Sequence, residues 1–164
     1  MSLPLFMAVF GDVFEHTPQI AEAVWRAGLS AIHDSAEGLH AAMASAMQAM
    51  GDKAGLALLK AHPDLAGRLA QARLLTDDSA MEQASAGLDR LAPSELSRFI
   101  SLNDAYQTKF GFPFIIAVKG LAKGDILAAF ETRLHQDRGA EFREALAQVS
   151  KIALLRITER MAGL

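Results

Sequence analysis

The chain has 164 residues, about half of them hydrophobic (51%), which suits one domain with a single core. Its net charge of −3 and the lack of a basic block argue against nucleic acid as a partner. The absence of cysteine excludes disulfides, cysteine nucleophiles and thiolate metal sites and fits the cytoplasm, and no run of ~18 uncharged apolar residues predicts a membrane span.

Alanine, leucine and methionine dominate, and the apolar spacing is mostly helical. Residues up to Phe14 are expected to hold one short turn and do not read as a secretory signal. Thr17-Pro18 reads as an N-cap followed by proline at the first helical position, opening a helix to about Ala27 that Gly28 ends. A second helix is predicted over Ser35 to Met50, stopping at Gly51, and a third from an Asp52 cap to about Ala61. A short helix over Asp64 to Ala72 follows, then one from Asp77 or Asp78 to about Asp89. Pro93 starts a long helix to about Lys109, stopped by Gly111. Pro113 to Val118 resists helical geometry at its start and reads as extended. Helices over Lys123 to Gln136 and Ala140 to Met161 complete the chain. The expectation is an all-α, single-domain helical bundle over 1–164 with one short extended segment near 112–118.

The stretch Ala61-His62-Pro63-Asp64-Leu65-Ala66-Gly67 sets a histidine just before a proline, where a helix has to end. A helix C-terminus favours the protonated imidazole, and a nearby carboxylate pushes the same way. Such a group can donate a proton near neutral pH. Composition alone favours the plainer role, in which His62 caps its helix and packs. The other histidines form no metal-ligand spacing, so no metal site is expected.

Ser79, Glu82 and Gln83 stand at i, i+3 and i+4, on a different helical face from Ala80, Ala84, Leu88 and Leu91. A hydroxyl, a carboxylate and an amide so grouped can bind a polar heterocycle, and Glu82 can orient His62. A solvated face explains the same pattern. Phe110 to Val118 is too apolar to lie free on a surface, and no second strand candidate exists to pair with it. Either a planar ligand rich in amide-like groups takes its backbone hydrogen bonds, or side chains and water do. Arg156 follows the apolar stripe of Val149 and Ile152 and needs an anion. A substrate carboxylate or an internal acid such as Glu15, Glu22 or Asp104 would serve. No dinucleotide-binding or phosphate-binding glycine loop and no nucleophile elbow is present. Acid–base chemistry without metal or organic cofactor is the reading that fits.

These segments occur in the order of a known family. Phe10-Gly11, Glu15-His16-Thr17-Pro18, Ala61 to Gly67, Ser79-Ala80-Met81-Glu82-Gln83 and Ala86-Gly87-Leu88-Asp89 come first. Asn103, Tyr106, Lys109 to Ile115, Lys123 and the Ile152 to Ile157 helix follow. The chain resembles the 2-oxo-4-hydroxy-4-carboxy-5-ureidoimidazoline (OHCU) decarboxylases, cofactor-free enzymes that form (S)-allantoin at the end of urate oxidation. The resemblance implies an all-helical homodimer with a small-molecule substrate. It also implies His62 as acid/base, and Pro63, Ser79, Gln83 and Phe114, Ile115, Ile116, Ala117 and Val118 as substrate contacts. Glu82 as the orienting carboxylate and Arg156 as a site residue are inferences of ours added to it. Two rivals are a hydrolase of a related ureide or hydantoin, and a non-catalytic helical interaction module.

Overall fold

A computed structural model describes residues 1–66 and 75–164. Among the described residues all regular structure is helical: α1 (Leu3–Phe10), α2 (Gln19–Ala27), a 3₁₀ turn (Ala31–Asp34), α3 (Ala36–Ala49), α4 (Gly51–Ala61), α5 (Asp77–Ser85), α6 (Pro93–Phe110), α7 (Lys123–Leu134) and α8 (Arg138–Ala162). None of these helices is long and apolar enough to cross a membrane. The expected helix over Asp64 to Ala72 falls largely outside the described residues. The described chain divides into two compact units, residues 1–61 with 146–164, and residues 62–145.

In the first unit, α1 is a full helix where only a turn was expected. Pro4 sits in its first turn, where a missing N–H costs nothing, and Phe6 and Phe10 pack one turn apart with ring centroids at 5.2 Å and planes tilted by 48°. Thr17 does not cap α2; its hydroxyl donates to the Glu15 carbonyl at 3.1 Å, and Pro18 takes the cap position. Ser35 does cap α3, accepting from the Gly38 N–H. The α3 stripe Leu39, Met43 and Met47 is buried, as are Val149, Ile152, Ala153 and Ile157 of α8. His40 donates through Nε2 to the Ser150 carbonyl at 2.9 Å, tying α3 to α8.

The second unit is built around aromatic rings. Tyr106 of α6 meets Phe110, Phe112, Phe114 and Phe130 at centroid distances of 4.6 to 6.0 Å. Phe114 stacks on Phe130 of α7 at 3.8 Å. Each of these rings is essentially fully buried, and burying one contributes roughly 1.5–3 kcal/mol. Gly111 ends α6 in the left-handed conformation (φ 80°) that a glycine adopts without penalty. Residues 113–118 then run outside any helix, as their sequence implies.

α5 opens at Asp77, as expected, and Thr76 before it is the cap, accepting from the Ser79 N–H. The helix ends at Ser85, short of the expected Asp89. Gly87 (φ 76°) turns the chain, with Leu88 N–H bonded to the Gln83 carbonyl and Gly87 N–H to that of Ala84. Leu88 and Leu91 therefore do not extend the helical face that begins at Ala80 and Ala84.

Candidate active site

His62 follows directly on the last residue of α4 and is 9% exposed; Pro63 beside it is buried. Side chains from two helices hold the backbone of the next three residues. The Gln83 side chain of α5 accepts from the Ala66 N–H at 2.9 Å and donates to the Asp64 carbonyl at 3.4 Å. Asn103 of α6 donates through Nδ2 to the Leu65 carbonyl at 2.7 Å. Ala66 takes a left-handed conformation (φ 48°) that costs a non-glycine residue roughly 1–2 kcal/mol, and it is fully buried. Two amides thus hold the turn after the histidine in a strained, defined shape.

The polar face of α5 is the one turned inward. Ser79 and Gln83 are buried, Glu82 is half-buried, and Ala80 and Met81 are exposed. The solvated-face reading is therefore not realised at Ser79 and Gln83. The reason is Gln83, whose amide satisfies two backbone groups that no apolar residue could satisfy.

Phe114, Ile115, Ala117 and Val118 are buried, and Ile116 is half-buried. The Ile115 carbonyl accepts from Arg133 Nη1 of α7 at 2.7 Å. The same guanidinium lies 4.5 Å above the Phe114 ring and donates through Nε to Glu141 Oε1 of α8 at 2.7 Å. The Tyr106 hydroxyl also donates to Glu141 Oε1. Burial, reinforced by the adjacent Glu141 carboxylate, raises the Tyr106 phenol far above its ordinary range. At this carbonyl the side-chain alternative for the extended segment is the one realised.

α6 links the two halves of the site. Asn103 and Tyr106 lie one turn apart on its buried face; the first holds the turn after His62, and the second packs on Phe114 at 5.3 Å. His62, Pro63, Ser79, Glu82, Gln83 and 114–118 all belong to the second unit. Arg156 belongs to the first, where Nη2 lies 3.3 Å from Glu15 Oε2; both residues are 2% exposed. One of the three internal acids named for it is therefore its neighbour.

Sequence reading missed Arg133 and Glu141. The signal was available: Ile126, Phe130 and Arg133 form a buried i, i+4, i+7 stripe, the pattern that singled out Arg156. Glu141 likewise begins the stripe Glu141, Ala145, Val149 and Ile152. Among the described residues no group of three or more histidine or carboxylate side chains is arranged to hold a metal ion.

A family model described as OHCU decarboxylase matches residues 1–158. The chain is 45% identical over 154 residues to a 2-oxo-4-hydroxy-4-carboxy-5-ureidoimidazoline decarboxylase of Halalkalicoccus jeotgali, covering 94% of this chain and 84% of that protein. It is 42% identical over 158 residues to the protein of that name from Haloferax volcanii, covering 96% and 90%. Among solved structures, an (S)-allantoin synthase superposes with a TM-score of 0.71 at 33% identity, over 93% of this chain and 48% of that one. An OHCU decarboxylase crystallised in the presence of (S)-allantoin superposes with a TM-score of 0.72 over 98% and 99%; at 20% identity that likeness concerns the fold alone.

Proposed function

The chain belongs to the OHCU decarboxylase family, and on that premise we propose that it decarboxylates 2-oxo-4-hydroxy-4-carboxy-5-ureidoimidazoline to (S)-allantoin, as a carbon–carbon lyase of urate breakdown. The observation that carries this reading is the buried His62-Pro63 corner with its turn tied down by Gln83 and Asn103, in a chain the family model matches almost throughout.

The chemistry needs few parts. The substrate carboxylate sits on a carbon next to a C=N bond. When the C–CO2 bond breaks, its electron pair moves into that imine, so the substrate supplies its own electron sink and no cofactor is required. The enol-like product of CO2 loss is then protonated on one face, which sets the S configuration. In this proposal His62 handles that proton or the proton of the substrate hydroxyl, with Glu82 orienting the ring. Pro63, Ser79, Gln83 and the backbone of 114–118 hold the ureido group and ring amides in one pose. Arg156, which the sequence offered to the substrate carboxylate, is left out of this pose, since the Glu15 carboxylate already faces it. A homodimer in the cytoplasm belongs to the same proposal and is read out by light scattering.

The test is turnover of freshly generated substrate, with product chirality followed by circular dichroism. Wild-type protein yields (S)-allantoin. His62→Ala loses about 10²–10⁴-fold in kcat, the usual contribution of a lost acid–base group. Near-normal turnover by folded His62→Ala would sink the assignment.

A further inference from the structure

The reading above gives 114–118 a role in holding substrate, and this inference rests on it. Among the described residues the segment has no neighbouring strand, so something else must fix the direction of its peptide planes. Ile115 is the residue where that happens. Its carbonyl is seized by Arg133 Nη1 at 2.7 Å, and the guanidinium is held from three sides: by the Phe114 ring beneath it, by Glu141 through Nε at 2.7 Å, and by the Ile115 carbonyl itself. Tyr106 fixes Glu141 in turn. Arg133 is 8% exposed and Glu141 fully buried, so this clamp works away from water.

A peptide unit is planar, and its bonds here are trans. The N–H of Ile116 therefore points opposite to the carbonyl of Ile115. Fixing the carbonyl onto Arg133 fixes the N–H on the far side of the plane. Ile116 is also the residue of 112–118 that is not fully buried, and no described residue accepts a hydrogen bond from its N–H. We infer that Arg133, held by Glu141, is a positioning residue that aims the Ile116 N–H at a carbonyl or carboxylate oxygen of the substrate.

A charged clamp is a costly way to hold one carbonyl. Buried ion pairs replaced by apolar groups of similar volume often leave stability unchanged or raised. A neutral replacement thus separates geometry from folding. The experiment compares the steady-state kinetics of wild type, Arg133→Met/Glu141→Gln, and Arg133→Lys. The double variant removes both charges together and so leaves no buried charge unpaired. Its melting should stay cooperative. Its KM should rise about tenfold, the fold-change of one lost hydrogen bond, with kcat within about threefold of wild type. Arg133→Lys keeps the charge and one donor but loses the planar fork, so its KM should fall between the other two. Should the double variant not fold, the Lys variant carries the test by itself. An unchanged KM in the folded variants overturns the clamp, as does a loss confined to kcat. Wild-type protein that fails to form (S)-allantoin overturns the functional reading itself, which distinguishes the two failures.

Discussion

Tyr106 offers a test of the buried network that needs no substrate. It is the only tyrosine in the chain, so its ionisation can be followed in the tyrosinate absorbance band without interference. The residue is fully buried and its hydroxyl donates to Glu141. Losing the proton would place a phenolate against a carboxylate in the core, and its pKa is raised accordingly, by burial first and by Glu141 second. In the unfolded chain the same group ionises near its ordinary value of about 10. Above that pH the native state therefore holds a proton that the unfolded state has released. Stability from this residue is fully present below about pH 10 and falls as pH rises, by about 1.4 kcal/mol per unit. By pH 12 the loss is roughly 3 kcal/mol, a sizeable share of the 5–15 kcal/mol typical of a domain. Other groups titrate in this range, so the assay is a difference: urea unfolding of wild type and Tyr106→Phe between pH 8 and 12 (about two units either side of the ordinary tyrosine value). The wild-type curve should fall more steeply by one proton, and tyrosinate absorbance should appear only together with unfolding. A tyrosinate band with its midpoint near 10 in protein whose near-ultraviolet dichroism is still native would refute the reasoning. Equal slopes in the two proteins would refute it as well.

Gln83→Met keeps the volume of the side chain but removes the acceptor of the buried Ala66 N–H and the donor to the Asp64 carbonyl. An orphaned buried N–H costs about 1–3 kcal/mol, so urea unfolding should show a loss of about 2 kcal/mol. Loosening the turn after His62 should also lower kcat/KM at least tenfold; wild-type kinetics in a destabilised variant would show that the turn serves folding only. Glu15→Gln leaves Arg156 buried opposite a neutral amide, and breaking such a pair costs about 3–5 kcal/mol. Adding Arg156→Met should restore more than half of that, and a double-mutant cycle that sums without coupling would mean the pair contributes nothing.

What the sequence made legible follows the reach of its local rules. Gly111 and Pro93 bound α6 where expected, because a left-handed glycine and a first-turn proline act within a few residues. The expected end of α5 near Asp89 overshot because the stop signal is Gly87, where the Gly87 and Leu88 N–H groups bond back to the Ala84 and Gln83 carbonyls. Buried polar groups are a different matter. A charged residue continuing an apolar stripe announces that it needs a partner, but the partner is chosen by which helices meet. Arg156 meets Glu15 across 141 residues, a choice periodicity could only narrow to three acids. Arg133 meets Glu141 across eight residues, yet the two stand on separate helices, so no i, i+4 rule could pair them. Gln83 shows the point from the opposite side. On a helical wheel it belongs to the face that solvent should take, and it is buried because two backbone groups of a turn 17 and 19 residues earlier require it. Asn103 and Tyr106 then explain why the His62 corner and an irregular apolar segment can be held in register without a sheet among the described residues. One turn of α6 carries both restraints, so a shift of that helix displaces the histidine turn and the 114–118 backbone together.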